Sequence, residues 1–192
     1  MDRFVDLHSA EAPVLEEAAR VLLDTFLAEN NRTWETIADA RNELNECLNP
    51  NFVCVACVRE GSVTGWIGAR QMYGNTTWEL HPLVVHPRFQ GCGIGRKLLQ
   101  YLEKTAAKRG VGGIVLGTDD EAESTSLSTY DFDSGSVTEA IEGITNLTRH
   151  PFEFYEKCGY RIVGIVPDAS GPGKHDILMW KRVPRARTDV QR

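Results

Sequence analysis

The chain has 192 residues, 42% of them apolar and 25% charged, which fits one globular domain and excludes disordered and membrane-spanning classes. Its net charge of −6 is unevenly spread: Asp119, Asp120, Glu121, Glu123, Asp131, Asp133, Glu139 and Glu142 lie between Thr118 and Thr148 with no Lys or Arg, while the other 19 acids face 21 bases. Such a surface argues against nucleic acid as the partner and suits a cationic one, while charge alone favours the plainer reading of a solvated acidic loop.

The N-terminus, "MDRFVDLHSAEAPVLEEAARVLL", has neither the basic start nor the apolar core of a secretory leader, so the cytoplasm is the expected location. Phe4-Val5 reads as a short strand. Apolar residues at Val14, Ala18, Val21, Leu22 and Phe26 predict a helix over Ala10–Leu27. After the polar break "AENNRT", a second helix runs from about Thr33 to Cys47 and is closed by "NPN". "FVCVACVRE" and "VTGWIGARQ" on either side of Glu60-Gly61-Ser62 predict a β-hairpin. Cys54 and Cys57, three apart in a strand, point to opposite faces, so they read as buried thiols and no metal is expected. "TWELHPLVVHP" is a further strand, which Pro82 must bulge or leave unpaired near its middle.

Beyond "RFQGCGIGRK", the pattern Ile94, Leu98, Leu99, Tyr101, Leu102, Ala106 predicts a helix ending at Gly110. "GGIVLGT" is a buried-type strand, followed by the acidic excursion (119–148) with a helix over Val137–Leu147. "HPFEFYEKCGY" is a short helix closed by Gly159, and "RIVGIVP" and "DILMWKRV" are strands joined by "DASGPGKH". One domain over 1–183 and a disordered tail over 184–192 are expected. The class is α/β (α+β), with a single mixed sheet and helices on both faces.

Three glycines in five positions, at 91, 93 and 95, open the helix after the Pro82 strand. The spacing is too short for a P-loop, and GxGxG is not the dinucleotide pattern GxGxxG. A strand, a turn of bare amides and a helix N-terminus can hold a pyrophosphate, with Arg96 and Lys97 adding positive charge. A ligand-free tight turn accounts for the glycine count as well. The flanks favour the cradle: "LHPLVVHPRFQGCGIGRKLL" resembles motif A of the GNAT acetyltransferases, with Gln90, Gly93 and Gly95 at its Arg/Gln-x-x-Gly-x-Gly/Ala positions.

"WELHPLVV", "LGTDDE", "TSLS", "HPFEFYEKCGYRIVG" and "PDASGPGKHDI" resemble the aminoglycoside 6′-N-acetyltransferases of the enterococcal chromosomal type and their environmental relatives. The resemblance runs from Trp78 to Arg182 and departs from the family at Phe152, His175 and Trp180. It implies the GNAT fold, with a mostly antiparallel sheet splayed at a bulged central strand. It also implies acetyl-CoA as cosubstrate, a homodimer and a cationic small-molecule acceptor. The alternative acceptor is another amine, on a polyamine, an amino sugar or a protein.

By the same resemblance, Leu83, Val84 and Val85 would take the pantetheine arm, the Leu83 amide polarising the thioester carbonyl. Gln90, Gly91, Cys92, Gly93, Ile94, Gly95, Arg96 and Lys97 would hold the pyrophosphate. Glu79 would take the acceptor's proton, and Tyr155 would protonate the departing thiolate. His81 shares a strand face with Glu79 and would orient it or satisfy the bulge. Asp119, Asp120 and Glu139 would meet the acceptor's ammonium groups. Tyr73 and Trp34 are aromatic candidates for flanking a sugar ring, Trp34 also suiting the core. No cysteine sits where a covalent acetyl-enzyme would need it, so attack is expected to be direct, in a ternary complex.

Overall fold

Hydrophobic alternation and helical stripes become seven strands and five α-helices in a computed structural model that describes residues 1–28, 31, 33–74 and 76–184. In chain order these are β1 (Arg3–Asp6), α1 (Ala12–Ala28), α2 (Ile37–Cys47), β2 (Val53–Arg59), β3 (Ser62–Met72), β4 (Thr77–Val85), α3 (Ile94–Lys108), β5 (Gly113–Asp119), α4 (Val137–Glu142), α5 (Phe152–Lys157), β6 (Arg161–Val166) and β7 (Asp176–Arg182). The strands form one sheet in the order β1-β2-β3-β4-β5-β7-β6, which makes β4 its central strand. The pairs β1/β2, β2/β3, β3/β4 and β6/β7 are antiparallel. The neighbours β4 and β5 are joined through α3, the kind of crossover a parallel pair requires. The tail beyond Pro184 lies outside the described residues.

Two compact units emerge, 1–114 with the segment from Val183, and 115–182. In the first, β2 is buried on both faces from Val53 to Val58. Cys54, Ala56 and Val58 pack with Trp66 and Val84 against Ala18, Ala19, Val21 and Leu22 of α1 and Ala40, Leu44 and Cys47 of α2. α3 also packs on β2, β3 and β4, burying Ile94, Leu98, Leu99, Leu102 and Ala106. The Trp66 indole N–H donates to the Ala18 carbonyl at 2.9 Å, and the Glu17 carboxylate accepts from the Val63 amide at 2.9 Å, fixing α1 on β3. α2 starts at Ile37 rather than Thr33 because Thr36 and Asp39 form a reciprocal capping box there.

The bulge expected at Pro82 is present. Ile67 pairs with Leu83 and Ala69 with Leu80, so the single residue Gly68 faces both His81 and Pro82, whose peptide is cis. A Cβ on Gly68 would lie 2.3 Å from the His81 carbonyl oxygen, so glycine is what allows this close approach.

In the second unit β7 lies between β5 and β6. The sheet's edge on this side is β6, with Val163 and Val166 exposed. α4 stops at Gly143 instead of reaching Leu147. The chain returns there to pair with Ser124–Ser126, through Ser126 N–H to Thr145 O (3.0 Å) and Leu147 N–H to Ser124 O (2.8 Å), and this pairing replaces further helical turns.

Candidate active site

The glycine turn follows β4 directly. Pro87–Phe89 make one 3₁₀ turn, and the Gln90 amide folds back to donate to the Val85 carbonyl at 3.2 Å. Gly91 and Gly93 have φ of +74° and +78°, which side-chain-bearing residues rarely adopt, and a Cβ at either would meet nothing within 4 Å. Gly93 is the N-cap of α3 and supplies no side-chain acceptor, so first-turn amides are left for an anion. Ile94 anchors the helix start in the core, while Cys92 and Arg96 are exposed. The cradle therefore fits a pyrophosphate, with bare backbone facing open space. Lys97 differs from expectation: its ammonium lies 2.6 Å from Asp2, which also pairs with Arg59 at 2.7 Å. Hydrogen bonds from Arg59 and Lys97 hold the Asp2 carboxyl far below the usual carboxylate range.

On β4, Trp78, Leu80, Pro82 and Val84 are buried, while Glu79, His81, Leu83 and Val85 are not. The His86 amide donates to Thr64 O at 3.0 Å. By antiparallel alternation, Val84 is then bonded to β3, whereas Leu83 and Val85 direct their peptide groups away from it. The Val85 carbonyl is taken by Gln90 and by the Thr25 hydroxyl.

Five charged or titratable side chains surround the bulge. Arg70, opposite Glu79 in the ladder, donates through Nε to its carboxylate, and this pairing pushes the guanidinium's already high pKa up further. His81 Nε2 lies 3.3 Å from Glu43 of α2, so His81 is paired with Glu43 rather than Glu79. Burial would raise the Glu43 carboxyl, but the His81 ring, the Cys47 thiol and the Arg70 charge more than offset it and hold the group below its ordinary value. The Cys47 thiol donates to Glu43 at 3.5 Å or to His81 O at 3.6 Å. Its pKa is pushed up by hydrogen bonding to Cys54 and by burial, which disfavours the thiolate. Trp34 is buried, edge-on to Phe26 at 4.4 Å, with its ring 6.1 Å from that of His81. Tyr73 is 75% exposed at the tip of the β3–β4 hairpin, beyond the Met72–Thr77 rung.

Arg70 and Glu43 escaped the sequence reading. Arg70 had a signal, since it and Glu79 are equidistant from the turn at Tyr73–Thr76. Glu43 had none, because only packing brings it to His81.

In the second unit, Asp119 is exposed; its carboxylate accepts from the Ser170 hydroxyl at 3.4 Å, and its carbonyl accepts from His150 Nε2 at 3.2 Å. Asp120, expected to face the acceptor, is 1% exposed and accepts from Ser124 N, Thr125 N and Thr125 Oγ1. The structure spends it on holding the excursion. Glu139 completes the capping box of α4 with Ser136. His150 is buried, which lowers its pKa; it accepts from Phe152 N at Nδ1, leaving the proton on Nε2. His175 accepts from the Asp168 amide and donates to Leu127 O, pinning the excursion to the β6–β7 loop. Tyr155 is 8% exposed, its ring 5.8 Å from that of Tyr160. Among the described residues there is no cluster able to hold a metal, and no helix long and apolar enough to cross a membrane.

Residues 15–131 match the model of the acetyltransferase (GNAT) family. The chain belongs to this family. Two solved structures of aminoglycoside 6′-N-acetyltransferase, one complexed with coenzyme A and one from Enterococcus faecium, are each 38% identical to this GNAT protein, with TM-scores of 0.85 over 96% of this chain and 99% of the other. An aminoglycoside 6′-acetyltransferase type Ii is 34% identical, with a TM-score of 0.69 over the same shares. No curated protein matches the chain.

Proposed function

We propose that this GNAT enzyme transfers acetyl from acetyl-CoA to the 6′-amino group of aminoglycosides, by direct attack in a ternary complex. The observation that carries the reading is the 38% identity, over nearly the whole of both chains, to enzymes with that activity. Both units act as one domain over 1–183, in a cytoplasmic homodimer, and acetylation would remove the drug's 6′ charge and confer resistance.

In this reading the glycine turn holds the pyrophosphate, and the backbone amides of Leu83 and Val85, aimed away from β3, receive the pantetheine arm. A Leu83 amide on the thioester oxygen would contribute about 3 kcal/mol to carbonyl polarisation. Glu79 receives the acceptor's ammonium in exchange for Arg70, and Asp119 adds an exposed carboxylate. Tyr155, a phenol near the α5 C-terminus, supplies the proton for the thiolate. One observation favours the second reading, another cationic amine: Asp120, Asp131 and Glu139 are committed to loops and caps, leaving fewer carboxylates for a polyammonium drug.

Thiol release from acetyl-CoA with kanamycin, tobramycin and a kanamycin analogue bearing a 6′-hydroxyl tests this. Turnover on the two amines and none on the analogue is expected. Equal turnover on the analogue would mean that another amine is modified; turnover only on polyamines or other amines would favour the second reading.

A further inference from the structure

We propose that His150 is a positioning residue: its buried ring holds the Asp119 backbone and the first turn of α5 in one frame, so that the Asp119 carboxylate and the Tyr155 phenol are presented to the reaction together. The inference rests on the roles given to those two groups above.

The ring is bonded through both nitrogens. The Phe152 amide donates to Nδ1 at 3.2 Å, so in the neutral ring Nε2 carries the hydrogen and donates to the Asp119 carbonyl, also at 3.2 Å. The 119–120 peptide is thereby held from both sides, because the Asp120 amide donates to His175 O at 2.8 Å. That peptide joins an exposed carboxylate, Asp119, to a buried one, Asp120. The side-chain contact of Asp119 with the Ser170 hydroxyl, at 3.4 Å, is long, so the aim of its carboxylate depends on its backbone. At the other nitrogen, the hold on Phe152 fixes the turn from which Tyr155 projects. The Pro151 carbonyl accepts there from the Phe154 and Tyr155 amides at 2.9 and 3.3 Å.

The segment that carries the ring is itself tightly fixed. Asn146 grips the His150 backbone twice, its Oδ1 accepting from His150 N at 2.8 Å and its Nδ2 donating to His150 O at 2.9 Å. Arg149 is held at φ +72°, a left-handed conformation that side-chain-bearing residues rarely adopt. Such strain persists only where the surroundings over-determine the chain, and it clusters at functional sites. His150 is 5% exposed, with its ring 5.7 Å from that of Phe152. A phenyl ring would fill the same space, so packing alone does not call for two directional bonds.

The two bonds can be cut separately. In His150→Asn the amide oxygen falls near the place of Nδ1 and can accept from Phe152, but nothing reaches Asp119. In His150→Gln the amide nitrogen falls near the place of Nε2 and can donate to the Asp119 carbonyl, but nothing accepts from Phe152. Both are compared with wild type by kcat and KM for kanamycin and by amide hydrogen exchange at Asp120 and Phe152. His150→Asn should raise KM about fivefold with kcat within about twofold, and His150→Gln should lower kcat about tenfold with KM within about twofold. Exchange should quicken at Asp120 in the first variant and at Phe152 in the second. The KM effect of His150→Asn should vanish in an Asp119→Asn background, and the kcat effect of His150→Gln in a Tyr155→Phe background.

The same change of kcat and KM in both variants, or full additivity with Asp119→Asn and Tyr155→Phe, overturns the proposal and leaves the ring a packing element. If the wild type acetylates no aminoglycoside, the acceptor reading fails, and exchange alone decides. Quickening split between the two amides then supports the frame, and an unsplit or absent change overturns it.

Discussion

The acidic excursion and the bulge on β4 both gather carboxylates, and they use them in opposite ways. In the excursion, Asp120, Asp131 and Glu139 accept from backbone amides and hydroxyls of their own segment. At the bulge, Glu79 and Glu43 face the cationic or titratable side chains Arg70 and His81, brought from other elements. Charge density along a sequence is therefore a poor guide to charge available for a ligand. The segment with eight acids spends several on its own shape, because a long loop needs caps for its peptide groups.

The largest expected effect is on the structural side. Asp120→Ala would orphan two buried amides and a hydroxyl, costing about 3 kcal/mol and lowering the melting temperature by roughly 6–12 °C. Thermal unfolding measures it, and a shift below about 2 °C would break the contrast. Next comes Glu79→Gln, expected to lower kcat/KM for kanamycin about a hundredfold while moving the melting temperature little, since its ion pair is partly exposed. A stability loss as large as that of Asp120→Ala would make Glu79 structural too. Arg70→Ala should lower KM for a polycationic acceptor by about fivefold or less, because a competing cation is removed; a rise in KM would show that Arg70 holds Glu79 productively. The smallest effect is Glu139→Gln, which should leave KM unchanged and barely move the melting temperature. A tenfold rise in KM would return the excursion's acids to the acceptor.

A pH prediction sharpens the same comparison. His150 is buried and its folded pKa is lowered, so the stability it contributes is complete above the ordinary imidazole range and is lost as pH falls from there toward the folded value. NMR should find its neutral form protonated on Nε2 and its titration shifted below that of an ordinary imidazole. A His150 that protonates at its ordinary pKa would remove this acid sensitivity.

Much of the frame was legible. Period-two and helical patterns located every strand and the long helices, Pro82 announced the bulge, and the spacing of Gln90, Gly93 and Gly95 announced the cradle. The end of α4 was not, because a pairing of Thr145–Leu147 with Ser124–Ser126 competes with helix propensity and cannot be read from either segment alone. Nor was the edge position of β6, since strand order depends on pairings between distant segments.

By itself the sequence determined where the backbone must be bare, where a strand must break, and that acids crowd one excursion, since these follow from residue type and local geometry. Only the tertiary structure decided which carboxylates are committed to amides and which to cations. Glu43 reaches His81 through helix packing, Arg70 meets Glu79 through hairpin register, and Lys97 is drawn to Asp2 at the far end of the chain. Electrostatic partners are set by distance in space, and chain separation does not encode that distance.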